Sequence, residues 1–552
     1  MKLSKYKLLF FISCTILAYL MVPNCKSQSV GKNTFVWVRD RDVSTLDPAS
    51  FNDWMVSRTL VCPLLDFEGE SFKLVPKLAS QLPSISEDGK RYLFKLRQGI
   101  LFSNGREIEA SDVKYGLERV LNPKTKSPAA NFYMNILGAR EFWNGTANEV
   151  KGIKAIDKYS LKINLLNKNP VFIYYLTWNM ASPLPKKELE KGGEQISISS
   201  ISSGPFVLKQ WIRGQRLIFE RNPNYCQPGK PFIDHLHVEI VSNEKLALLR
   251  VMRGMADVVQ VTLSSLPQLA GSPQWSKNLK KVSNFNVIFL SINTQMEPFQ
   301  NKKIRHAVNM AIDKDKLVRL SGGMHRKLSG IYPPSLPGFN PRVKIYAFNP
   351  GKAKKILNEC GYSGGFKTEL YTINEEPYSR FAQAIQQDLS AVGIHANIRL
   401  LASATFRSAV VTPNTTPLVL WFIVPGCPDP DAIISERLTC FAARGGYNSA
   451  FYCDNEVEAL VVIAQAMPIG EKRYQAFQEI QEKIMADAPW VPLLNPRLFY
   501  LHSTQVTAMP IHPIHGFVFQ DIRKEEARDP GPVTKLRNSR VINPKIGTKE
   551  RD

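Results

Sequence analysis

Several short spacings in this chain place reactive side chains where they could act together. His235 and His237 alternate in "FIDHLHVEIV", so on a strand both face one side. Two such imidazoles could share a metal ion, but no third ligand is evident nearby. His512 and His515 form a second pair near the end of the regular sequence. Cys427, Cys440 and Cys453 recur at one spacing, so either Cys427–Cys440 or Cys440–Cys453 would close a small disulfide loop. The stretch "CPDPDAIISERLTC" makes Cys427–Cys440 a natural small loop and the expected pair, although the spacing alone does not choose between the two. Asp429 and Asp431 precede an apparent helix, where carboxylates cap backbone N–H groups. No G-x-S-x-G elbow, H-E-x-x-H helix or Walker A loop occurs. A hydrolase, a zinc protease and an ATPase are therefore poor readings, and no cofactor or metal is implied.

The elements that must hold these residues are legible from alternation and turn chemistry. "TFVWVRD" (34–40) reads as a strand, and a helix follows near Trp54 to Leu60. Ser103-Asn104-Gly105 reads as a tight turn between short strands. Ser111 then reads as the N-cap of a helix running to Leu121, with Val113, Leu117 and Val120 inward. "FVLKQWI" and "RLIFERN" form a hairpin whose Lys209, Arg213, Arg216 and Arg221 lie between apolar positions and face solvent. A helix is expected over "SNEKLALLRVMRGMADVV", and Asn349-Pro350 opens another. Strands and helices alternate over 286–424, a βαβ signature. Beyond 523 the periodicity stops, and 524–552 reads as a loose tail.

The chain has 552 residues and a formal net charge of +23, with 44% hydrophobic residues. That suits a soluble chain of several domains with an acidic environment or ligand. The charges are scattered without a long Lys/Arg block, so nucleic acid is not expected as a partner. Lys2, Lys5 and Lys7 precede an apolar run from Leu8 to Val22, the pattern of an export signal over residues 1–25. Cys25 stands where a lipid-modified cysteine would stand, although Pro23 and Asn24 replace the usual small residues. Cleavage near "KSQSV" is the alternative.

Three long blocks carry a family resemblance. They are "LVPKLASQLPSISEDGKRYLFKLRQGILFSNGREIEASDVKYGLERVLNP" (74–123), "SSGPFVLKQWIRGQRLIFERNPNY" (202–225) and "FLSINTQMEPFQNKKIRHAVNMAIDKDKLV" (289–318). They resemble the family 5 extracytoplasmic solute-binding proteins, the oligopeptide- and dipeptide-binding components of ABC importers. The resemblance spans about residues 35 to 520. It implies an α/β, two-lobed periplasmic-binding-protein fold (type II, large peptide-binding class) with an additional supporting domain. The implied segments are lobe I at 30–63, 186–285 and 493–523, the supporting domain at 64–185, and lobe III at 286–492. The implied protein is a periplasmic monomer, free or anchored through Cys25. It passes oligopeptides to permease subunits served by separate ATPase chains.

The resemblance also implies two ligand-facing segments. Phe51, Asn52 and Asp53 would line the cleft from one side. Trp421, Phe422, Ile423, Val424, Gly426, Cys427 and Asp429 would line it from the other. The family pattern carries an Asp here that pairs with the ligand's ammonium, since a buried charge needs a partner. Gly426 stands at that position, so Asp429 or Asp53 is expected to substitute, or the ligand to lack that amine. Without the Asp, a nickel chelate, haem or sugar remains an alternative cargo, as does a chaperone-like surface role.

Overall fold

The computed structural model describes residues 33–49, 53–191, 201–343, 346–444 and 446–525. The export signal, Cys25, Phe51, Asn52 and the tail beyond 525 lie outside the described residues. Among the described residues no helix is long and apolar enough to cross a membrane.

Two large sheets dominate. The first orders its strands Leu279–Val282, Leu498–His502, Val258–Gln260, Thr34–Arg39, His235–Ile240, Arg216–Arg221 and Phe206–Ile212. Thr34–Arg39 sits centrally and runs parallel to both neighbours, with Thr34 opposite His235 and Trp37 opposite Val258. Its near-continuous burial fits a strand covered on both faces. The basic hairpin stays at the surface, where Lys209 pairs with Glu220 at 3.1 Å and Arg221 with Asp234 at 3.0 Å.

The second sheet orders Arg326–Lys327, Trp490–Asn495, Val287–Ile292, Leu418–Ile423, Phe366–Ile373 and Ile394–Leu401. Phe366–Ile373 and Ile394–Leu401 are parallel and joined through the helix Tyr378–Ala391, a βαβ unit. That helix buries Phe381, Ile385 and Leu389 at the four-residue spacing of one face. Phe289 and Trp490 stack at 3.7 Å in this core. A four-stranded antiparallel sheet with Arg91–Lys95 and Ser160–Asn164 at its centre builds the third unit, against the helix Ala110–Leu121.

Three local expectations shift. The helix expected from Ser111 begins at Ala110 with Glu109 as N-cap. The Asp112 carboxylate accepts from Glu109 N–H at 2.9 Å and so fixes the start two residues earlier. The helix expected over 242–259 ends at Met252, and Gly254 at φ 69° turns the chain into the strand Val258–Gln260. The turn at Gly105 joins an isolated bridge, Leu101 to Glu107, rather than two full strands.

The first sheet is tied to the third unit by a buried polar cluster. Asp66 is held by Arg58 and by Lys77 at 2.6 Å, and these two cations keep its carboxyl below the usual range despite burial. His515 Nε2 meets Thr177 Oγ1 at 3.0 Å, and Phe67 stacks on His512 at 4.7 Å.

Candidate ligand-binding site

A cavity of about 630 Å³ lies between the third unit and the second sheet's lobe. One wall comes from the short helices Ala130–Tyr133 and Ala139–Trp143 and the chain up to Trp178. The other comes from the end of the strand Leu418–Ile423, the loop after it, and the helices Ser403–Val410 and Asp431–Arg437. The lining is rich in aromatic rings. Phe132 and Tyr175 meet Trp178 edge-on at 4.9 and 5.1 Å. Across the cavity the Arg437 guanidinium lies 4.5 Å over Trp421 and 5.1 Å from Tyr447. Such a box suits a ligand with exposed apolar or planar surface and a few charged points.

The walls touch at Gly426. Trp178 Nε1–H donates to the Gly426 carbonyl at 2.9 Å. A Cβ at residue 426 would fall 2.2 Å from Trp178 Cζ2. No side chain fits there without moving the indole, so the family's acid cannot return at this position. The loop's carbonyl instead bridges the two walls.

Asp429 faces away from the cavity. Arg473 grips it by Nε at 2.9 Å and Nη2 at 3.0 Å, and both side chains are 0% exposed. Asp429 also accepts from Asp431 N–H at 3.0 Å, which starts the next helix. Asp53 is engaged as well: Arg39 pairs with it, and it caps the helix Trp54–Ser57. Trp421, Phe422, Val424 and Gly426 line the cavity, whereas Ile423, Cys427 and Asp429 point into protein.

The expected disulfide Cys427–Cys440 is corrected to Cys440–Cys453. Asn448 explains the choice. Its side-chain amide donates to Thr439 O at 3.1 Å and Tyr452 O at 2.8 Å, bringing the residues before both cysteines together. Cys427 is a buried free thiol whose pKa burial raises.

Charged groups of the cavity were not anticipated. Glu436 lines it with no hydrogen bond or ion pair among the described residues. It keeps some surface on the cavity, yet surrounding protein pushes its carboxyl up to about 7; Arg437 opposes that shift and Asp431 adds to it. Burial lowers Arg437 to about 10. Arg140 and Arg407 line the cavity from opposite walls, exposed and likewise without a partner among the described residues. An "ISER" helix face reads as ordinary solvated charge, so the sequence carries no signal for Glu436. His235 and His237 lie 6.5 Å apart in the first sheet, and among the described residues no three potential ligands gather for a metal.

Known proteins resemble this chain in sequence and fold. The family model for bacterial extracellular solute-binding proteins, family 5, matches residues 73–444. A glutathione-binding protein, GsiB, of Escherichia coli K12 is 27% identical over 492 residues, covering 87% of this chain and 92% of that protein. The Helicobacter pylori periplasmic binding protein DppA, solved with peptide STSA, superposes with a TM-score of 0.76 at 25% identity, over 89% of this chain and 98% of that one. The Escherichia coli murein tripeptide binding protein MppA gives 0.76 at 20% identity, over 90% and 99%. The chain belongs to the bacterial extracellular solute-binding proteins of family 5, the substrate-binding class of ABC importers.

Proposed function

We propose that this protein captures short peptides in the cavity beside Gly426 and delivers them to a membrane permease. The carrying observation is that both walls contribute to one aromatic box and that the Trp178–Gly426 hydrogen bond shuts it. A ligand that touches both walls favours the closed arrangement by the difference in its affinity for closed and open forms. Closure then places peptide amides and charges in a drier setting, where each polar contact is stronger. The relatives' named ligands support small peptides: glutathione for GsiB, a murein tripeptide for MppA and the peptide STSA for DppA. The cavity of about 630 Å³ is of a size suited to such ligands. Lobe limits near residues 63, 185, 285 and 492, and anchoring through Cys25, belong to the same reading.

The test is mass spectrometry of the protein purified without refolding, first native and then denatured. Short peptides released on denaturation are the expected result. A bound metal chelate, haem or sugar in their place would overturn the peptide reading.

A further inference from the structure

Three titratable side chains of the cavity lining, Glu436, Arg140 and Arg407, have no hydrogen bond or ion pair among the described residues. Several enclosed charges elsewhere are closely paired. Asp429 has Arg473, Asp66 has Arg58 and Lys77, and Asp257 has Lys524. Asp431, the other acid on the lining, is taken by Ser435 and by Gln465, whose Nε2 donates at 3.1 Å. Arg437, the remaining cation, donates to Tyr447 O at 3.2 Å and covers Trp421. Glu436 is half-buried at the lining, where a ligand cation would satisfy its carboxyl, while Arg140 and Arg407 stand exposed on the two walls, open to ligand anions.

We infer that Glu436 receives the ligand's ammonium in place of the acid that Gly426 cannot carry, while Arg140 and Arg407 receive two carboxylates, so that the protein selects short acidic peptides with a free amine. The inference rests on the peptide reading above and specifies the substrate class of that site. Three features support it. Gly426 is sealed against Trp178, so the amine needs a different anchor. Glu436 lies on the same wall, on the helix that follows that loop. Its carboxyl, held high by burial, gains most from a cation brought within hydrogen-bonding distance. The two guanidiniums come from opposite walls, so a ligand with two carboxylates bridges them, and closure becomes sensitive to ligand charge.

The test is calorimetric titration of ligand-stripped, full-length mature protein with four probes: alanyl-glutamyl-alanine, alanyl-glutaminyl-alanine, and the N-acetylated form of each. Wild type is expected to prefer the glutamyl peptide, and acetylation to weaken binding about tenfold or more. Glu436→Gln, nearly isosteric, should weaken the free-amine peptides and erase the acetylation penalty. Arg407→Gln and Arg140→Gln, at exposed positions, should each narrow the preference for glutamyl over glutaminyl. If wild type binds the peptides but Glu436→Gln keeps the full acetylation penalty, the inference falls and the peptide reading stands. An unchanged glutamyl preference in both arginine variants likewise removes the acidic selectivity. If wild type binds none of the four, both fall together.

Discussion

Arg473 holds Asp429 through two hydrogen bonds at 2.9 and 3.0 Å, with neither side chain exposed. The same guanidinium donates through Nη1 to the carbonyls of Gln465 and Met467 at 2.9 and 3.3 Å. One arginine thereby fixes the loop that carries Gly426 to the end of the helix Asn455–Ala466. Replacing only Arg473 with Met leaves a buried carboxylate and several carbonyls unmatched. We expect a loss of about 3–5 kcal/mol in unfolding free energy, read from urea denaturation.

Gly426→Ala should act on closure rather than on folding. With the walls in contact, as here, the added methyl would fall on Trp178, and parting of the walls would relieve it. Overpacking of this kind costs about 1–3 kcal/mol, so peptide affinity should fall about tenfold. The urea midpoint of the ligand-free protein should stay close to wild type, and Trp178→Leu in the same chain should restore space for the methyl.

Acid should weaken the junction around His512 and His515. Burial lowers His512 to about 4 and His515 well below its ordinary value, with Arg58 pushing both the same way. Asp66 and Glu70 act against this for His512 without reversing it. Unfolding restores an ordinary pKa near 6.5, so the unfolded chain binds more protons in between. The stability from neutral His512 is therefore complete above about pH 6.5 and lost as pH falls toward about 4. Roughly 2 kcal/mol for this one histidine should disappear between pH 7 and pH 5, measurable as a shift in urea midpoint that His512→Gln reduces.

The disulfide makes a separate prediction. Cys440 and Cys453 close a loop with a separation of 13 residues. Removing both by serine substitution should cost about 3 kcal/mol, mainly by freeing the unfolded chain. A reductant should lower the melting temperature of wild type but not of the double variant. Cys427→Ser should keep the reductant effect, which separates it from the bonded pair.

Much of the framework could be read in advance, because its rules are local. Asn349 caps the helix Pro350–Glu359 through Lys352 N–H, as its position before proline suggested. Phe366–Ile373 and Ile394–Leu401 pair in parallel, as the alternation over 286–424 required. The site was legible only in part. Trp421, Phe422, Val424 and Gly426 line the cavity, and only the family resemblance, not any local pattern, singled them out. Asp429 could not be placed, since its partner Arg473 is remote in the chain and only folding brings them together. Glu436 and Arg140 share that difficulty: a charged residue on a helix looks the same facing water or facing a cavity. The cysteine pairing turned on Asn448, whose two hydrogen bonds have no counterpart in cysteine spacing.

The order of strands in the first sheet bears on when this lobe can form. Its central strand, Thr34–Arg39, is made some two hundred residues before its partners His235–Ile240 and Val258–Gln260. Val258–Gln260 in turn waits for Leu498–His502. Pairings so distant form slowly, because the intervening loops must close before any contact rewards them. The lobe therefore cannot complete its sheet until Leu498–His502 has been made, and Val258–Gln260 waits with an unpaired edge through that interval.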